Sequence, residues 1–176
     1  MKRFHFALRN GLFFAMLGLT APAFGAIQVG LALEQTTSPP SIKVVSNTAQ
    51  CAGGPIDCIE VAKRTQPFIY FNLPKACKAD GPAYRLAKFR IAEQRKAWPT
   101  SANPMNHTIA KDFCADRNTG YVHFSYCDND LKDDKMKLKD HNLAEGTVWY
   151  EIQAAPCDGS GGEIRLDPQI RNKGTN

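Results

Sequence analysis

The chain lacks any stretch of about 20 apolar residues, the length that crosses a bilayer as a helix, and it lacks the short patterns that mark most enzymes. There is no phosphate-binding loop, no HExxH, no GxSxG and no CxxCH. Zinc-finger spacing is missing too, because no two cysteines form a CxxC pair and the histidines do not recur at ligand intervals. Internal repeats and low-complexity segments are absent. These gaps argue against a helical membrane protein, a P-loop enzyme, and the common metalloprotease and nucleophile-elbow patterns. Nothing that remains points to a cofactor.

What is present begins with a charged start and a short apolar run. Lys2, Arg3 and Arg9 precede Leu12 to Leu19, and small residues at Ala23 and Gly25 follow. That layout is the one of a secretory signal peptide over residues 1–25, with cleavage after Gly25 and Ala23 as the second choice. Residues 26–176 then form one domain, long enough to bury about two-thirds of its surface. The chain carries a net charge of +5; three of those charges, on Lys2, Arg3 and Arg9, leave with the leader, so the mature protein is only +2. A global case for nucleic acid as partner fails on that charge. The expected location is exported, either periplasmic or extracellular.

All six cysteines, Cys51, Cys58, Cys77, Cys114, Cys127 and Cys157, fall in the mature part. An even number in an exported chain reads as three disulfides, and spacing alone leaves 15 pairings open. Cys51–Cys58 is the easiest, across the turn-forming Ala-Gly-Gly-Pro-Ile-Asp; Cys114–Cys127 and Cys77–Cys157 are the preferred remainder.

Hydrophobic alternation of period two recurs through the chain and indicates strands. Ile27–Glu34, Tyr121–Tyr126 and Lys135–Lys139 read this way, Ser41–Ser46 and Ile56–Ala62 are shorter strands, and Phe68–Leu73, a continuous apolar run bounded by Pro67 and Pro74, reads as a strand buried on both faces. The lysines of Lys135–Lys139 suit an edge strand. Thr147–Asn172 reads as two strands joined by a Gly-rich turn around Cys157, with Pro168 marking an edge or a change of sheet. Residues 83–98 are rich in helix formers, but Tyr84–Ala92 alternates if one extra residue is inserted after Leu86, so a bulged strand is preferred. The expectation is an all-β, two-sheet antiparallel β-sandwich, Ig-like or related, stapled by disulfides.

Four features are candidates for function. Between Lys63 and Lys96 nine basic residues stand against Asp80 and Glu93, and Arg85, Lys88, Arg90, Arg95 and Lys96, with Trp98, form a candidate basic patch for an anionic macromolecule, protein or glycan. His123 and His141 are candidate acid–base groups, with Ser125 two residues from His123, although exposed histidines are far commoner than catalytic ones. Asp128, Asn129, Asp130, Asp133 and Asp134 could hold calcium, but the loop lacks the EF-hand glycine and closing glutamate, and Lys132 and Lys135 offset its field; a solvated turn is preferred. Asn106-His107-Thr108 matches an N-glycosylation acceptor. The reading is an exported, disulfide-bonded, non-catalytic binding or interaction protein, the alternative being a small secreted hydrolase using His123 or His141. Intact mass and N-terminal sequencing of the secreted product are expected to place its first residue at Ala26; an exported product that still begins at Met1 overturns the leader.

Overall fold

The computed structural model describes residues 25–34 and 40–174; the leader and the Thr36–Pro39 turn lie outside these. The described elements are β1 (Ile27–Glu34), β2 (Ser41–Asn47), β3 (Cys58–Val61), β4 (Phe68–Asn72), β5 (Tyr84–Ala92), α1 (His107–Phe113), β6 (Asp130–Leu131), β7 (Lys135–Lys139), β8 (Glu145–Pro156), β9 (Ile164–Leu166) and β10 (Gln169–Lys173). They make two sheets, β2-β1-β4-β7-β6 and β3-β10-β8-β5, with β9 also on β8. The all-β, two-sheet, disulfide-stapled architecture is the expected one. Each sheet is mixed rather than purely antiparallel: β1 runs parallel to β4, and β10 parallel to β3. In both cases the chain crosses to the other sheet before it returns, so the returning strand arrives in the same direction.

Alternation decides which residues face the core. In β1, Ile27, Val29 and Leu31 are buried; in β4, Ile69 and Phe71; in β7, Met136 and Leu138. The facing sheet contributes Ile59, Leu86, Phe89, Ile91, Val148, Tyr150, Ile152, Ala154 and Ile170. At the centre Phe71 meets Phe89 and Tyr150 at ring-centroid distances of 5.5 Å each, and Phe89 stacks on Tyr150 at 5.2 Å. Such contacts add about 0.5–1.5 kcal/mol each to the burial of their area. The buried Tyr150 hydroxyl donates to the Asp57 carbonyl at 3.2 Å, so its polar end is satisfied.

The bulge expected in β5 is present, as the register with β8 shifts between Leu86 and Lys88. It brings Leu86 and Phe89 onto one face despite their odd spacing. Pro168 does not end the last strand: β9 and β10 keep one register along β8, and the Pro168 carbonyl accepts from the Tyr150 N–H at 3.0 Å. Proline returns no donor there. It marks the point beyond which the strand is flanked by β3 as well as β8.

Three expectations fail. The Phe68–Leu73 strand is not buried on both faces, for Phe68 and Tyr70 stay half-buried opposite the fully buried Ile69 and Phe71. Residues 121–126 do not form a strand, for only isolated bridges at Tyr121 and Val122 survive. After Val122 the chain turns toward α1, with the His123 N–H donating to the Cys114 carbonyl at 3.0 Å, and Tyr126 ends 67% exposed. The helix α1 has no counterpart in the strand pattern. Asn106 caps it, its side-chain oxygen accepting from the Thr108 N–H at 2.8 Å, and Cys114 closes it in the left-handed conformation. The Asn-His-Thr match is thus the helix start.

The disulfides are Cys51–Cys58, Cys77–Cys157 and Cys114–Cys127, the pairs preferred from the sequence. Cys77–Cys157, 80 residues apart, ties the β8–β9 turn to the loop before β5. In the chain-entropy picture that closure contributes about 4 kcal/mol. Replacing Phe89 by alanine is expected to cost about 3–5 kcal/mol in urea unfolding, while Phe68→Ala on the outer face of β4 costs far less. Equal costs would show that the two faces of the sheets are misassigned.

Candidate functional site

Register, not sequence position, determines what the basic stretch does. In β5, Arg85, Lys88 and Arg90 share the outer face, opposite the core residues Leu86, Phe89 and Ile91. Arg90 lies across from Glu151 of β8 and binds it through two bonds, Nε to Oε1 at 2.8 Å and Nη2 to Oε2 at 3.0 Å. Its guanidinium sits 3.9 Å from the Trp98 ring and 5.6 Å from that of Tyr121. Lys88 pairs with Glu163 at 2.8 Å, and Arg85 with Asp133 at 3.5 Å. Arg95 lies over the Trp149 ring at 5.4 Å, and Lys96 is exposed in a turn with positive φ. Arg85, Lys88 and Arg90 therefore share one sheet face while Arg95, Lys96 and Trp98 lie in the segment after it, and the three on β5 have their charge met by carboxylates of the same chain.

Beneath Arg90 lies a buried polar row that the sequence does not disclose. Glu151 and Gln153 point outward from β8 yet are 2% and 0% exposed, because the segments carrying Trp98 and Tyr121 cover them. Gln153 donates to the Tyr121 hydroxyl at 3.2 Å and to Glu151. Gly120 permits this cover: its φ is +74°, and a Cβ there would meet the Ile91 carbonyl at 2.3 Å. Burial pushes the Glu151 carboxyl upward, but hydrogen bonds from Arg90 and Gln153 outweigh it, leaving it below the usual range. Asp167, opposite Glu151 on the other side, is pushed up by burial and by the Glu151 charge. Arg90→Ala would leave Glu151 buried without its main counter-charge and is expected to cost about 3 kcal/mol or more by chemical denaturation.

The three mature histidines converge. His107, His123 and His141 line one open groove of about 490 Å³ beside the Cys114–Cys127 disulfide. The two sulfurs and a His141 ring nitrogen lie within 4.8 Å of one another. Ser125 is exposed and is not among the lining residues; instead the His123 ring makes an edge contact with Tyr126 at 5.8 Å. In the acidic loop, Asn129 is buried and donates to the Phe113 and His123 carbonyls at 3.2 Å each, while its oxygen accepts from the Lys139 N–H at 2.7 Å. Asp130 approaches Lys132 at 3.9 Å, and Asp133 is committed to Arg85.

Below this groove the chain buries two carboxyls. Asp112 accepts from the Leu143 and Ala144 N–H groups at 2.6 and 3.1 Å. Asp140 accepts at Oδ1 from the Asn142 N–H at 2.7 Å and from Asn172 Nδ2 at 3.4 Å. Its Oδ2 and the Asn172 Oδ1 have no partner. Burial pushes the Asp140 carboxyl up to about 8, so the group keeps its proton in neutral solution. The folded protein thus holds a proton that the unfolded chain, with a carboxyl near 3.9, releases in neutral solution. This group's stabilisation is complete below about pH 4 and is lost as pH rises toward 8, at up to about 1.4 kcal/mol per pH unit. Thermal unfolding across this range should show wild type losing stability relative to Asp140→Asn as pH rises; parallel curves would place the proton elsewhere.

A further face emerges on the outside of the first sheet. Phe68 and Tyr70 of β4 point outward, and β7 lays its lysines over them: Lys135 Nζ is 4.6 Å from the Tyr70 ring centre, and Lys137 and Lys139 are 4.9 and 4.5 Å from that of Phe68. Lys139 also donates to the Gln66 carbonyl at 2.6 Å. Among the described residues none of the three has a carboxylate within 4.0 Å, although Asp130 stands opposite Lys137 in the register. Beside them Asn72 donates to the Gln28 side chain at 3.2 Å. Compared with known proteins, the chain matches no family model and no curated protein.

Proposed function

We propose that the chain is an exported, disulfide-bonded binding protein that receives an acidic glycan on the outer face of its first sheet. The observation that carries the reading is the row Lys135, Lys137 and Lys139 over Phe68 and Tyr70, with no carboxylate in contact among the described residues. Alternate residues on a strand are roughly 7 Å apart, so the three lysines share one outer face and their ammonium groups gather over the two rings. Ammonium groups attract sugar carboxylates or sulfates, the rings offer faces for pyranose stacking, and the amides of Gln28 and Asn72 suit hydroxyls. An acidic protein would use the charges but has less need of the rings. Arg85, Lys88 and Arg90 contribute less, since each is already paired within the chain.

Export is supported by the charged and apolar start together with three disulfides, which persist in a periplasm or outside the cell. No helix among the described residues is long and apolar enough to cross a membrane. The hydrolase alternative has weaker support, since the groove that holds His123 and His141 is not lined by Ser125.

Binding to heparin and alginate, with neutral dextran as control, tests the reading. Lys135→Glu with Lys137→Glu is expected to weaken binding at least tenfold, about 1.4 kcal/mol, and the binding should fall with added salt. Arg85→Glu with Lys88→Glu should have a smaller effect. Equal binding by wild type and the β7 variant rejects this face, and competition by polyglutamate but not by alginate would reassign it to an acidic protein.

A further inference from the structure

We propose that the Cys114–Cys127 disulfide is the closed form of a zinc-class metal site, which an external dithiol opens and which the two thiolates then form with His141. This inference is independent of the glycan face, none of whose residues lines the histidine groove. Its basis is the convergence of Cys114 Sγ, Cys127 Sγ and a His141 ring nitrogen within 4.8 Å. In the oxidised form the sulfurs are bonded to each other and are poor ligands, because a metal takes the thiolate.

The disulfides differ in access. Cys51 and Cys58 are 1% and 0% exposed and Cys77 and Cys157 are both half-buried, whereas Cys127 is open to solvent beside the half-buried Cys114, both on the wall of the histidine groove. A dithiol of the protein or small-molecule kind reaches the Cys127 sulfur. Its first thiolate forms an S–S bond to Cys127 while the Cys114–Cys127 bond breaks, and Cys114 departs as thiolate beside the His141 imidazole. The second thiol then attacks the mixed disulfide, frees Cys127 and leaves the dithiol oxidised. The protein gains two electrons and two protons, and a divalent ion entering the site displaces those protons.

The site would persist after reduction because none of its backbone anchors depends on the sulfur bond. Cys114 ends α1 and donates to the Ala110 and Lys111 carbonyls. The 126–129 turn is fastened to Phe113, His123 and Lys139 by the buried Asn129 side chain. The His141 N–H donates to the Asp112 carbonyl at 2.9 Å. Two thiolates and one imidazole suit zinc, with a fourth position open toward the groove, where His107 and His123 also stand.

The test uses the mature protein, treated with dithiothreitol and freed of it under anaerobic conditions. Mass mapping after alkylation should find new thiols at Cys114 and Cys127, with Cys51 and Cys58 still bonded. Competition with a chromophoric chelator should then show one zinc bound by the reduced protein and none by the oxidised one. Cobalt should give a sulfur-to-metal charge-transfer band. Cys114→Ser with Cys127→Ser should abolish both signals. His141→Ala, which keeps the disulfide and hence the fold, should weaken zinc at least tenfold and shift the cobalt spectrum. Resistance of the bond to dithiol in the folded protein overturns the proposal. So does absence of zinc binding after reduction, equal zinc uptake by the serine variant, or an unaltered affinity in His141→Ala.

Discussion

The packing of Tyr150 against Phe71 and Phe89 is the constraint on which the rest of this protein depends. These rings join β8 and β5 of one sheet to β4 of the other, and all three are fully buried. Because side chains alternate along a strand, placing one inward determines the direction of every neighbour. With Tyr150 inward, Trp149, Glu151 and Gln153 must point out. With Phe71 inward, Phe68 and Tyr70 must point out. Both external faces are consequences of one internal contact.

The two faces handle that consequence differently. On the second sheet the outward residues include a carboxylate and an amide near the middle of the sheet, and the chain covers them with Trp98, Tyr121 and the guanidinium of Arg90. A buried charge is tolerable only when paired, so Arg90 is committed to Glu151 and contributes little to an external field. On the first sheet the outward residues are aromatic, and flexible lysines of β7 lie over them with their charged ends still near water. The cations of β7 remain available to a partner while those of β5 largely do not, although β5 lies in the more strongly basic stretch of sequence.

The region around α1 follows a separate logic. Its helix is short, begins at an asparagine cap and ends at a cysteine in the left-handed conformation. The disulfide, the buried Asn129 and the buried carboxyls Asp112 and Asp140 hold the neighbouring loops. Three histidines far apart in sequence thereby line a common groove, although none of them is in a strand of either sheet.

Local pattern by itself determined much of the scaffold: alternation marked β1, β7 and β8, the apolar run between Pro67 and Pro74 marked β4 though not its outward face, the odd spacing of Leu86 and Phe89 marked the bulge in β5, and turn composition favoured Cys51–Cys58. These features depend on neighbours a few residues apart, where sterics and side-chain direction leave few choices. The 121–126 segment shows the limit, since its alternation is as clean as that of β1, yet it has no strand to pair with beyond Val122. The parallel pairings, the neutralisation of Arg85, Lys88 and Arg90, and the burial of Glu151 and Gln153 were decided only by the tertiary structure. Each depends on which strand lies opposite which, at separations such as the 61 residues between Arg90 and Glu151. The convergence of His141 with Cys114 and Cys127 has the same origin. Charge and ligand chemistry act over a few ångströms, and only the folded register brings such distant residues that close.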